Sequence, residues 1–305
     1  MTIRTQIWAF AFLCALSFLF WWHPLASTLG LALTNDAYTH ILLILPLSVS
    51  LIYLDRDRIK PIEQNHRALQ THSRVPIAVT STALAGAVLI SCYARCGQSN
   101  ITQGGRLSLS MFALVVWWTG SVILCFGFEV FRSFLFPLCF LFWMVPIPPF
   151  ALDKIVLFLQ HQSAFAARIL FLAIGVPVTQ NGIVLSIPNL DIEVATECSS
   201  IRSSLMLIVI AMVLSHLFLR SWWRKTLVVA VAIPLSVAKN GLRIFTIAEL
   251  GTRIDPGFLD GKLHHNGGVL FLGIALLVVG ALLWVLRRSE LPRTGASGVS
   301  APSRN

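Results

Sequence analysis

The chain has 305 residues, of which 56% are hydrophobic and only 12% charged, and its mean hydropathy is +0.78. A soluble domain carries about a quarter charged residues, so half that share leaves too little polar surface to coat a water-soluble globule. A soluble enzyme, a disordered protein and a collagen-like fibre are excluded. The formal charge of +10 sits in short Lys/Arg clusters between apolar runs, the pattern of cytoplasmic loops in membrane proteins and not of a nucleic-acid-binding surface.

A helix needs about 20 apolar residues to cross a bilayer. Runs near that length fall at 7–22, 38–54, 76–94, 108–127, 131–148, 200–219, 226–250 and 268–286. They predict an all-α polytopic membrane protein with about eight transmembrane helices. The first run lacks a convincing basic start and a cleavage site, so it reads as a retained helix and not a signal peptide. Arg56, Arg58, Lys60, Arg67 and Arg74 assign the second loop to the cytoplasm. Arg220, Arg224 and Lys225 do so for the turn after the sixth run, and Arg287, Arg288 and Arg293 for the tail. With Arg4 also inside, both termini are expected to be cytoplasmic.

Residues 151–175 are apolar but carry Asp153, Lys154, Gln160, His161, Gln162 and Arg168. A ninth crossing here would move Arg220, Arg224 and Lys225 to the outside, so the expectation is an amphipathic helix along the outer surface. Asn181-Gly182 then signals a tight hairpin, and Leu190-Asp-Ile-Glu-Val194 alternates like one more strand. A small extracytoplasmic β-hairpin element therefore leads into the sixth span. Residues 292–305 read as a disordered cytoplasmic tail.

Six cysteines form no CxxC pair and no zinc spacing, and five lie in or beside apolar runs, where Cys acts as a small hydrophobe. The sixth, Cys198, lies in Ala195-Thr-Glu-Cys-Ser-Ser-Ile-Arg-Ser203 at the outer start of a span, where a helix N-terminus favours a thiolate. Arg202, four residues on, acts in the same sense. Position alone is equally consistent with a passive cysteine and an interfacial arginine.

Arg243 stands inside the seventh span, with Asn240 three residues away on the same helical face. His264 and His265 precede the eighth span. Spans running down, up and down bring Cys198, Arg243 and the histidines to the outer leaflet together. Nucleophile, fixed cation and general base are the parts of a cysteine acyl-transfer site. HExxH and GxSxG are absent, and His40, His161 and His216 are scattered, so neither a metal nor another cofactor is called for. A non-enzymatic carrier or scaffold for polysaccharide export is the rival reading, because polar residues in membrane helices also line substrate paths.

The ordered set Cys-Ser-x-Ile-Arg-Ser at 198–203, Asn-x-x-Arg at 240–243 and His-x-x-x-Gly-x-x-Phe at 264–271 resembles the exosortase/archaeosortase family. So do Asn35-Asp-Ala-Tyr-Thr-His40, the proline-ended run at 136–148 and the hairpin at 175–188. The resemblance implies an inner-membrane cysteine protease or transpeptidase of exopolysaccharide-producing bacteria, its site facing the periplasm. Its partners would be membrane lipid and exported proteins bearing a C-terminal sorting signal, with a Pro-Glu-Pro-like motif, a transmembrane helix and a basic cluster. It implies Cys198 as nucleophile, Arg243 as oxyanion stabiliser and His264 as acid/base, supported by Arg202, Asn240 and His265. His264 is chosen over His265 because it keeps the spacing to Gly268. Ser200 stands where the family usually has Gly. On this view residues 1–291 form one exosortase-like integral membrane domain, with the active part at about 175–286.

Overall fold

The computed structural model describes residues 3–56, 74–96, 102–188, 190–194, 201–255, 257 and 262–290. The expected tail at 292–305 lies outside them. The chain divides into two compact units, Met1–Leu159 and Gln160–Asn305. Ten helices and one small sheet are described: α1 (Ile3–Thr34), α2 (Ile41–Leu54), α3 (Arg74–Cys96), α4 (Gln103–Phe126), α5 (Phe128–Ser133), α6 (Leu135–Phe140), α7 (Pro149–Ala173), β1 (Thr179–Asn181), β2 (Val184–Ile187), β3 (Leu190–Glu193), α8 (Ile201–Phe218), α9 (Trp222–Arg253) and α10 (Lys262–Glu290).

The fold class is the expected one, a mostly helical polytopic membrane protein with a minor β element. Among the described residues, seven helical segments are long and apolar enough to cross a membrane: α1, α2 with the turn before it, α4, α7, α8, α9 and α10. Helix α3 has 23 residues, about 34 Å at 1.5 Å per residue, which also matches a bilayer core. Large apolar side chains such as Trp8, Phe12, Leu19, Leu89 and Leu277 stand exposed along these helices. A soluble protein does not display so much contiguous apolar surface, and lipid accounts for it.

In the first unit α1 bends at Trp21 (φ −104°, ψ 17°), three residues before Pro24, which cannot donate to the helical ladder. Indole N–H groups tie the bent helix to its neighbours, because a buried indole needs an acceptor. Trp21 donates to Ser91 of α3 at 3.0 Å, and Trp118 of α4 to Ser17 at 2.9 Å.

One expectation meets a different outcome. The continuous fifth span over 131–148 is instead α5, α6, a 3-10 turn at Leu141–Met144 and an extended stretch. Gly127 at φ +89° turns the chain, Phe134 leaves the helical region at φ −105°, ψ 23°, and prolines at 146, 148 and 149 end the run. The pieces still travel the length of α4. They start at Gly127, the C-cap of α4, and finish beside its first turn, where a Cβ on Gly104 would lie 2.6 Å from Pro149 Cγ. There Tyr38 donates its hydroxyl to the Ile147 carbonyl at 2.9 Å, and midway Ser48 donates to the Pro137 carbonyl at 2.7 Å.

The segment at 151–175 is helical, as expected. Pro149 opens a continuous 25-residue helix, its ring suited to a first helical position. Asp153, Lys154, His161 and Gln162 are exposed, but so are Phe158, Phe165, Ile169 and Leu172. The polar residues counted against a crossing do not disqualify α7 by length and mean hydropathy.

Gly175 (φ +79°) ends α7 in a Schellman motif. Val176 N–H donates to Phe171 and Gly175 N–H to Leu172, at 3.0 and 3.1 Å. The sheet that follows is an antiparallel meander in the order β1-β2-β3. Asn181 pairs with Val184, so the two central turn residues are Gly182, at φ +64°, and Ile183. Glycine thus takes the first central position of a two-residue hairpin, one residue later than a turn centred on Asn-Gly.

Candidate functional site

The second unit is organised along α9. Towards its start, Val228 and Ala232 share an apolar cluster with Leu207 and Ala211 of α8 and with Ala275, Val279 and Leu283 of α10. Towards its end, Ile244 and Ala248 share another with Ala164, Ala167 and Phe171 of α7 and with Leu185 and Ile187 of the sheet. Between the clusters α9 carries Ser236, Lys239, Asn240 and Arg243, all buried. Spacings of three and four put these four side chains on one helical face. Polar residues from two other helices meet them. Asn240 Nδ2 donates to Ser163 Oγ of α7 at 2.9 Å, and Lys239 Nζ donates to Ser203 Oγ of α8. Gln160 of α7 donates to the Val194 carbonyl at 2.7 Å, fixing the chain just beyond β3.

Backbone approach makes this arrangement possible. A Cβ on Gly241 would sit 2.5 Å from Ala166 Cβ and 3.0 Å from the Ala167 nitrogen, so α7 and α9 touch where only glycine fits. Arg243 is 8% exposed. Holding arginine at a membrane-helix centre costs about 2.5–3.5 kcal/mol on the lenient insertion scale.

Of the residues singled out in the sequence, Asn240 and Arg243 are both buried on α9, three residues apart. Arg202 lies in the first turn of α8 and is exposed, while its neighbours Ser203 and Ser204 are buried. Cys198 lies outside the described residues. His264 and His265 lie in the first turn of α10, and their side chains are also outside the described part. Their height along the helix can still be read from the backbone. Arg224 near the start of α9 donates to the Leu286 carbonyl near the end of α10, so the two helices run antiparallel. From that contact Arg243 is 19 residues along α9 and His264 is 22 back along α10, about 28 and 33 Å, within one turn of the same level.

A family model described as "Transmembrane exosortase (Exosortase_EpsH)" matches residues 21–281. The chain belongs to the transmembrane exosortase family. That membership gives this exosortase a membrane transpeptidase or protein-sorting role in general terms. No curated protein and no solved structure matches it.

Sequence reasoning assigned nothing to Lys239, Ser163, Ser203 or Gln160. The i, i+4 spacing of Lys239 and Arg243 within one apolar run was the signal available for the first. Ser203 closes the Cys-Ser-x-Ile-Arg-Ser pattern without a role of its own, and Ser163 and Gln160 carry no such signal, since their burial depends on which helices meet.

Proposed function

We propose that this exosortase is a cysteine transpeptidase that removes the C-terminal sorting signal of exported proteins at the outer face of the bacterial inner membrane. Both termini lie in the cytoplasm on this reading, with residues 1–291 as the membrane domain and about 175–286 as its active part. The observation that carries it is a buried Arg243 on the same face of a membrane helix as buried Asn240, within a turn of the level of His264. A guanidinium kept out of water at such cost is suited to meet a charge that develops there.

In the proposed reaction the Cys198 thiolate attacks the scissile carbonyl and a carbon–sulfur bond forms. Arg243 donates to the oxyanion, a charge-assisted bond that is stronger in a low-dielectric site than in water. Collapse of the oxyanion breaks the carbon–nitrogen bond, and the leaving amine takes a proton from His264. His264 then accepts a proton from an incoming amine or water. That nucleophile attacks the thioester and releases the Cys198 thiolate. Arg202, Asn240 and His265 support the site.

The test is a processing assay in membranes containing an exported reporter with a candidate C-terminal signal. Loss of the tail is followed by gel shift for wild type, Cys198→Ala, Arg243→Ala, His264→Ala and His265→Ala. The expected result is processing abolished by the first three substitutions and spared by the fourth. Processing that persists in Cys198→Ala removes the proposed nucleophile. A wild type inactive on every exported protein of the host favours the carrier reading.

A further inference from the structure

Lys239 takes no part in the reaction above, yet it is buried, with 5% of its surface exposed. An ionisable side chain kept inside a membrane helix marks function and calls for a named partner. Here that partner is Ser203 Oγ, in the first turn of α8. The two ends of this bond lie at informative places in the sequence. Ser203 follows Cys198 by five residues, and Lys239 precedes Arg243 by four on the same helical face. The adjacent residue, Asn240, is bonded to Ser163 of α7.

The seam between α8 and α9 is otherwise built largely from small and apolar residues: Leu207 and Ala211 against Val228 and Ala232. Such a surface is smooth. A slide of one helix along the other by about 1.5 Å shifts apolar contacts without breaking any directional bond among them. A buried polar pair removes that freedom, because a slip leaves donor and acceptor unmatched away from water; setting register is the best-attested use of such pairs.

Resting on the Cys198 reading of the site, we infer that Lys239 is a positioning residue for the reaction. Its bond to Ser203 holds the first turn of α8 in register with the Arg243 face of α9. An amine serves better than an apolar residue because it supplies a directional bond, which apolar packing does not.

The experiment uses the full chain in membranes, with initial processing rates measured against reporter amount for Lys239→Met, Lys239→Arg, Ser203→Ala and Lys239→Met/Ser203→Ala. Methionine keeps the length and apolar stem while removing the donor. Misplacement by about 1 Å costs on the order of 100-fold in rate, so Lys239→Met is expected to lower kcat about 100-fold while KM changes less than about threefold. Thioester trapped in the absence of acceptor falls with kcat. Ser203→Ala lowers kcat in the same sense, the double variant is no slower than the slower single, as coupled residues require, and Lys239→Arg recovers most of the rate.

A Lys239→Met rate within about threefold of wild type overturns the inference, as do single losses that multiply in the double variant. A raised KM at unchanged kcat also overturns it, since that marks a substrate-binding group. If Lys239→Met fails to reach the membrane, Ser203→Ala decides alone, and an unchanged rate there is refuting. Cys198→Ala is run beside them. Processing that survives it sinks the thiol mechanism, while non-additivity between positions 203 and 239 reports separately on the register.

Discussion

Gly241→Ala adds one methyl group at the closest contact in the second unit. The new Cβ would meet Ala166 Cβ at 2.5 Å, the Ala167 nitrogen at 3.0 Å and the Ala166 carbonyl carbon at 3.1 Å. Carbon atoms settle about 3.5–4.0 Å apart, and two of the three obstacles are backbone, so no side chain can swing aside. Helices α7 and α9 must part by about 1 Å, and overpacking of this kind costs about 1–3 kcal/mol. The same displacement stretches the 2.9 Å bond from Asn240 to Ser163 beyond hydrogen-bonding range, adding about 1 kcal/mol. The sum is about 2–4 kcal/mol, against a gain of about 1 kcal/mol from replacing glycine by alanine in a helix. Thermal stability of the detergent-solubilised protein, read by size exclusion after heating, is expected to fall clearly, and processing with it. Gly280→Ala in α10 is the control, because nothing lies within 4 Å of its would-be Cβ. Equal stability and processing for the two variants would refute the close-approach reasoning.

Three further outcomes are expected. Gly175→Ala meets no neighbour within 4 Å, so its cost is backbone alone, about 1–2 kcal/mol for an L-residue held left-handed, and Gly175→Asn should lose less in the same heating assay. Glu290 accepts from the backbone N–H groups of Arg220 and Ser221 at 2.9 and 3.0 Å. Glu290→Ala should therefore lower stability by about 1 kcal/mol, as loss of a helix cap does, with processing by the surviving folded protein unchanged. Thiol labelling at positions 148 and 177 from either side of sealed membranes decides whether α7 crosses. Labelling from one and the same side is expected, because a crossing would carry Arg220, Arg224 and Lys225 away from the cytoplasm; labelling from opposite sides refutes the surface placement.

Apolar length and basic clusters made most of the helices readable, because lipid demands long uninterrupted runs and leaves few alternatives. Residues 131–148 misled for the same reason. Their composition is that of a span, and the breaks arise at Gly127, Phe134 and the prolines, whose effect depends on local dihedral angles that hydropathy does not register. The β element was legible from Asn181-Gly182, though the turn is centred one residue later. Within the candidate site Arg243 and Asn240 declared themselves by being polar in an apolar run. Ser163 did not, and Ser203 showed only as the end of a motif, since a serine in a membrane helix is unremarkable until the helix beside it is known.

Helix α9 has 32 residues, about 48 Å of helix against a bilayer core of about 30 Å. It carries the buried basic residues Lys239 and Arg243 and, one and five residues beyond Arg243, Ile244 and Ala248, which share an apolar cluster with the sheet. Sheet and buried basic residues are therefore indexed to a single helix and not to each other through loops. Removing one residue between Arg243 and Ala248 would turn Ala248 by about 100° around that helix, while the number of membrane crossings and the composition stayed almost the same. Evolution can lengthen the loops of such a protein freely, but it cannot change the count of residues along this stretch of α9 without rebuilding everything that leans on it.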